Sequence, residues 1–136
     1  MGKIMKTGKV VIVLSGRYAG RKGIIMKSLE EGTNDKQFGQ AIIAGIQRYP
    51  RRVSRKMSKA KVHKNCRIKP FVKIFNYNHL MPTRYNVSDL SIDNKYTIKD
   101  LKDPVKRKKI RFQIRMRLED RFKCGRNKWF FSKLRF

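Results

Sequence analysis

What this chain has least of is acid. Nine Asp and Glu residues stand against 36 Lys and Arg in 136 residues, a formal net charge of +27. A charge of that size repels itself and opposes compaction. It makes sense where a dense polyanion neutralises it, and nucleic acid leads because each phosphate contact releases condensed counterions. Cysteine is scarce as well. Cys66 and Cys124 are the whole supply, which excludes a disulfide framework and points to a reducing compartment. Long apolar runs are missing. The longest, residues 10–14, has strand length and falls far short of the roughly 20 residues needed to cross a bilayer. The opening Met1-Gly2-Lys3-Ile4-Met5-Lys6 has charge but no apolar stretch behind it, so no signal peptide is expected. Lys6 occupies the position where N-myristoylation requires Ser or Thr, so no lipid anchor is expected either.

Catalytic constellations are also lacking. His63-x-x-Cys66 has a ligand-like spacing, but a tetrahedral zinc site takes four ligands. Only His79 and Cys124 remain, and neither has a ligand neighbour in sequence. No nucleophile motif accompanies His79, and the few carboxylates form no evident acid–base pair. Glu119 and Asp120 lie among Arg115, Arg117 and Arg121, which reads as an ion-paired helix face. No catalytic residue, metal, cofactor or small-molecule substrate is expected.

What is there is positive charge in two blocks. Residues 49–84 carry eleven basic and no acidic side chains, and residues 105–136 carry thirteen basic and two acidic ones. Between them, residues 85–104 are nearly neutral. Basic blocks of this kind read as nucleic-acid contact segments.

The first half reads as β. Residues 10–14, 23–27, 41–46 and 71–77 are short apolar, β-branched runs separated by Gly, Asn, Asp or Pro. Residues 31–35 have turn chemistry. Several short strands with Gly-rich connections predict a small barrel. Residues 51–69 predict an irregular basic arm, with one helical turn near 54–60. Farther on, Ile110, Ile114, Leu118 and Phe122 recur every fourth residue, although Ile110, Phe112, Ile114, Met116 and Leu118 also alternate as a strand would. Asp103 as N-cap, Pro104 in the first helical position and Gly125 as a stop favour a helix over about 104–124. The fold class is therefore α+β, a small barrel with basic extensions and a C-terminal helix. Residues 1–85 are expected to form the barrel with its inserted arm. Residues 86–136 are expected to form an extension with the helix and an aromatic-basic tail.

The most specific pattern is the segment Gly16-Arg17-Tyr18-Ala19-Gly20-Arg21-Lys22-Gly23 between two strands. Glycine reaches positive φ without steric cost, as a sharp exposed turn requires. Backbone amides and basic side chains at such a turn can meet phosphates, and Tyr18 can stack on a base. No Gly-Lys-Ser/Thr follows to make a nucleotide loop. The segment resembles the KOW motif, a strand, basic glycine loop and strand usually found within an SH3-like barrel of ribosomal proteins and transcription elongation factors. Three further blocks narrow the resemblance. They are Ala44-Gly45-Ile46-Gln47-Arg48-Tyr49-Pro50-Arg51, Asn76-Tyr77-Asn78-His79-Leu80-Met81-Pro82-Thr83-Arg84-Tyr85 and Asn127-Lys128-Trp129-Phe130-Phe131-Ser132-Lys133-Leu134-Arg135-Phe136. In order and spacing they resemble the family of large-subunit ribosomal proteins numbered twenty-seven in eukaryotes.

That resemblance implies a structural, non-catalytic component of the cytosolic large ribosomal subunit, with nuclear or nucleolar transit during assembly. Its partners would be ribosomal RNA and neighbouring ribosomal proteins, with no membrane. The candidate RNA-binding residues are Lys9, Arg17, Tyr18, Arg21, Lys22, Arg48, Arg51, Arg52, Arg55, Lys56, Lys69, Arg84, Lys106, Arg107, Lys108, Lys109, Arg111, Lys128, Trp129 and Arg135. Trp129 is open to two readings, burial or stacking on RNA. The alternatives are a KOW transcription elongation factor or other RNA-binding factor, a cationic membrane- or calmodulin-binding protein, and an RNA enzyme. The first is opposed by the short length and pervasive charge. The second leaves the β half without a use, and the third lacks a catalytic set.

Overall fold

The run Val10-Val11-Ile12-Val13 offers no polar face, so a strand made from it needs cover on both sides. The computed structural model, which describes residues 4–30, 37–87 and 98–135, shows where that cover comes from. Five strands form one antiparallel sheet: β1 (Lys9–Val13), β2 (Lys22–Leu29), β3 (Gln40–Arg48), β4 (Lys69–Asn76) and β5 (Leu80–Asn86). Their order is β4-β3-β2-β1-β5. β4 and β5 occupy opposite ends of that order, yet only the 3-10 turn Tyr77–His79 joins them. Three residues reach roughly 10 Å at full stretch, so the two edges curl toward each other and the sheet becomes barrel-like. Register shifts in the β1–β5, β2–β3 and β3–β4 pairings add the local twist that such curling needs.

Each face of the sheet has its own apolar cluster. Val11, Val13, Ile25, Ala41, Ile43, Phe71, Phe75 and Leu80 come from all five strands and fill the inside. Val10, Ile24, Met26, Ile42, Ala44 and Ile46 point the other way, onto the C-terminal part of the chain. Gly45 marks the tightest approach. A Cβ there would run into the Phe71 ring and lie 2.7 Å from the Lys22 carbonyl oxygen. Overpacking of this kind costs about 1–3 kcal/mol. Gly45→Ala is therefore expected to lower the thermal midpoint, and an unchanged melting curve would show that this contact relaxes freely.

The outer cluster is closed by α3 (Pro104–Lys123), which follows a short α2 (Ile98–Lys102). The Asp103 carboxylate accepts a hydrogen bond from the Val105 amide at 3.0 Å, Pro104 sits in the first turn, and Gly125 has φ +74° just past the end. Start and stop signals thus fall where the sequence reading put them. Ile110, Ile114 and Leu118 are buried against the sheet and Phe122 packs at its margin. Phe112 is 61% exposed and Met116 is exposed too, so the fourfold period wins over the strand alternation.

Two elements differ from the sequence reading. β5 carries no continuous apolar run, since only Leu80 in it is buried. As an edge strand it also tolerates Pro82, which pairs opposite Val11. The helical turn expected near residues 54–60 is instead α1 (Lys59–Asn65), started by Ser58, whose Oγ accepts from the Lys61 amide at 3.4 Å. The turn chemistry at residues 31–35 and residues 88–97 of the near-neutral stretch lie outside the described residues.

Candidate nucleic-acid interface

The glycine-marked loop between β1 and β2 is wound tightly. Gly16 and Gly20 have φ of +87° and +79°. Inside it, the amides of Ala19, Gly20 and Arg21 donate to the carbonyls of Gly16, Val13 and Tyr18 at 3.2, 2.7 and 3.0 Å. Those three amides are spent on the turn itself, which corrects the expectation that they face phosphate. Arg17 remains exposed at the tip.

Beyond β3, Pro50 ends strand pairing and the chain crosses the surface as an arm. The Arg51 amide donates to the Asn65 carbonyl at 2.8 Å, and Asn65 Nδ2 donates to the Arg52 carbonyl at 3.3 Å. These bonds fasten the arm to α1. Three cavities surround it, and Arg51 lines all of them. One lies toward α1, the start of β4 and α3, where Arg48, Lys64, Arg67, Lys69 and Arg115 converge. A second reaches Arg21 of the loop and Lys133 of the tail, and a third reaches Arg126 and Lys128. Among the described residues, none of Arg48, Arg51, Arg52, Lys64, Arg67 and Lys69 is ion-paired with a carboxylate.

The arm therefore gathers six of the expected contacts: Arg21, Arg48, Arg51, Arg52, Lys69 and Lys128. Arg55 and Lys56 are exposed just beyond, before α1. The remaining candidates line none of the three cavities. Lys9 is half-buried at the start of β1, Arg84 is exposed on β5, and Arg135 is exposed in the tail. Lys106, Arg107, Lys108, Lys109 and Arg111 are exposed along α3. Sequence reasoning missed Lys64, Arg67, Arg115, Arg126 and Lys133. The first two belong to the acid-free block, and that charge run was the signal available for them. Arg115 was read as part of an ion-paired helix face, and it does pair with Glu119 at 3.0 Å. Glu119 is nevertheless buried and also accepts from the Ile68 amide at 3.1 Å, which ties α3 to the entry of β4.

Three expected contacts are structural. Lys22 is 0% exposed. Its ammonium donates to the carbonyls of Trp129 and Ser132 at 2.6 and 2.8 Å, and lies 3.8 Å from the centre of the Trp129 ring. Burial lowers its pKa to about 8, so at neutral pH it is still mostly a cation. It is removed from the candidate contacts because an ammonium spent this way cannot reach phosphate. Trp129 has Lys22 on its ring and Tyr85 stacked at 4.5 Å. With both neighbours near the ring centre, its faces are occupied and no base can stack there. Tyr18 stacks on Phe71 with centroids 4.1 Å apart and planes 9° apart, so that face closes the barrel mouth. Tyr49 is buried too, its hydroxyl accepts from the Lys22 amide at 2.8 Å, and burial pushes its pKa up.

Elsewhere, His63 is exposed and Cys66 buried, and among the described residues no three His, Cys, Asp or Glu side chains come together as a metal site.

A small antiparallel barrel with a tight basic glycine loop, wrapped by a helix and coated with unpaired cations, is the build of a KOW-type RNA-binding protein. Within that class the match is specific. Residues 10–136 fit a family model described as the Ribosomal L27e protein family, and the chain belongs to that family. It is a structural constituent of the large ribosomal subunit, which works on the cytoplasmic ribosome in contact with ribosomal RNA and ribosomal neighbours.

Proposed function

We propose that the arm at residues 49–52 is the centre of the RNA contact, and that the protein stabilises folded ribosomal RNA there by neutralising closely spaced phosphates. The observation that carries this is the set of six cations around the arm with no carboxylate partner among the described residues. Gathering like charges costs free energy that an RNA backbone returns. Arginine suits the task because its planar fork meets phosphate oxygens in pairs. Residues 1–85 supply the barrel and arm, and residues 86–136 supply the helix and tail that brace them. The exposed basic face at the start of α3 follows a second phosphate track. In this reading the chain performs no reaction, and it passes through the nucleolus during assembly.

The test is binding of purified protein to large-subunit ribosomal RNA. Replacing Arg51 and Arg52 together by Gln is expected to weaken binding at least tenfold, at about 1 kcal/mol or more per charge-assisted contact, with circular dichroism unchanged. Equal affinity from a folded variant would reject the arm. The loop gives a separate prediction. Arg17→Ala with Arg21→Ala is expected to weaken binding severalfold without unfolding the barrel, because both side chains are outside the core. Full affinity in that variant would remove the loop from the interface.

A further inference from the structure

One large ring interrupts the charged surface of α3. Phe112 is 61% exposed. It stands two residues from both Ile110 and Ile114, about 160° round the helix from each, so it faces away from the sheet against which those two are buried. It belongs to neither apolar cluster. Among the described residues no aromatic ring stacks on it and no cation lies over it. Tyr18 and Trp129 have their rings packed against other parts of the chain, whereas Phe112 keeps most of its surface in solvent.

Its surroundings select what covers it. No Asp or Glu falls between Asp103 and Glu119, and seven Lys and Arg do. Lys108 and Lys109 lie one turn before Phe112 on the same side of the helix, Arg111 lies beside it, and all three are exposed. None of them is ion-paired among the described residues. Of the other apolar side chains exposed on that side, Val105 is cut off by Lys108 and Lys109, which leaves only Met116 beside the ring. Such a setting fits the centre of a protein interface badly, because lysine is depleted there. It fits a plain RNA duplex badly too, since phosphates satisfy the cations but the paired bases offer the ring nothing. An unpaired nucleotide satisfies both, its base stacking on the ring while its own phosphate and the adjacent ones meet the cations. Resting on the ribosomal RNA reading above, we infer that Phe112 is a stacking platform for an unpaired base. The solvent side of α3 then recognises a loop or bulge of the RNA, where the arm neutralises phosphate.

The experiment titrates the full chain with large-subunit ribosomal RNA, with an RNA hairpin carrying an open loop, and with a fully paired duplex of the same length. Phe112→Ala is expected to weaken binding to the first two at least about fivefold, the size of one base–aromatic contact, and to leave duplex binding within about twofold. Phe112→Leu is expected to fail as Phe112→Ala does, and Phe112→Trp to bind as wild type does, because a ring and not mere apolar bulk is required. The salt slope is expected to stay at its wild-type value in all three variants, since stacking releases no counterions. The melting curve is expected to stay unchanged, since the side chain lies outside the core. A photoreactive 4-thiouridine in the hairpin loop is expected to crosslink to the tryptic peptide of residues 112–115, which checks the site without a mutation. Full affinity of Phe112→Ala, or of Phe112→Leu, would overturn the inference and leave the charge-based reading intact. Crosslinks confined to the arm or the glycine loop would overturn it as well. RNA affinity kept by Phe112→Ala while the large subunit loses a neighbouring protein would overturn it in favour of a protein contact. No binding to any of these RNAs would overturn both readings.

Discussion

In a titration against large-subunit ribosomal RNA, affinity is expected to drop on the order of a thousandfold as monovalent salt rises from roughly 50 to 200 mM. The six unpaired cations around the arm set the size of the effect. At about 0.7 to 0.9 of a counterion per phosphate contact, six contacts give a log–log slope of about −4 to −5. Exposed cations on α3 can only steepen it. Replacing Arg51 and Arg52 by Gln is expected to make the slope shallower by nearly two, because each lost contact removes its own counterion release. A wild-type slope near −1 would mean that few phosphates are neutralised, and phosphate neutralisation would then fail as the basis of affinity.

The largest stability effect is expected at Lys22. In Lys22→Met, the Ser132 carbonyl loses its donor, the Trp129 carbonyl keeps only its bonds from the Ser132 amide and hydroxyl, and the Trp129 ring loses its cation. An acceptor left unpaired in a partly buried site costs about 1–3 kcal/mol, and a desolvated cation–π contact is worth about 2 kcal/mol. Relief of the charge's own desolvation offsets part of this. The net loss is about 2–4 kcal/mol, read by urea or thermal unfolding. Trp129 is the chain's one tryptophan, so its emission reports the site directly and is expected to shift red as the tail loosens. Unchanged emission and unchanged stability would show that Lys22 does not fasten the tail. The pH dependence has a definite sign. The native group releases its proton near 8 and the unfolded one near 10.5. Between those values the unfolded chain holds the extra proton, so stability rises with pH there. The advantage of wild type over Lys22→Met is therefore expected to grow from pH 8 toward pH 10.

The strands and the long helix were legible because their signals are local. Apolar runs marked β1 to β4, and Asp103, Pro104 and Gly125 bounded α3 within a residue or two. β5 was not legible, since an edge strand with one buried residue and a proline leaves no pattern to read. The site divides in the same way. Arg48, Arg51 and Arg52 announce themselves as a basic run beside a proline. Lys22 belongs to an identical-looking run, Arg21-Lys22, and only the tertiary fold separates the exposed cation from the buried one. Tyr18 and Trp129 are misleading for the same reason: an aromatic beside a basic residue reads as a stacking platform until its ring is found packed against another part of the chain. The cavity below the arm is built from four separate elements, and no window of sequence contains it.

The fastening of Lys22 spans 107 and 110 positions of chain. During synthesis, β2 emerges long before the carbonyls that hold its ammonium have been made. The nascent barrel therefore leaves the Lys22 ammonium to water until residues 129–132 have left the translating ribosome. Completion of the native state waits on residues 129–132, and a chain halted before them is expected to be recognisably unfinished to the cell's quality-control machinery.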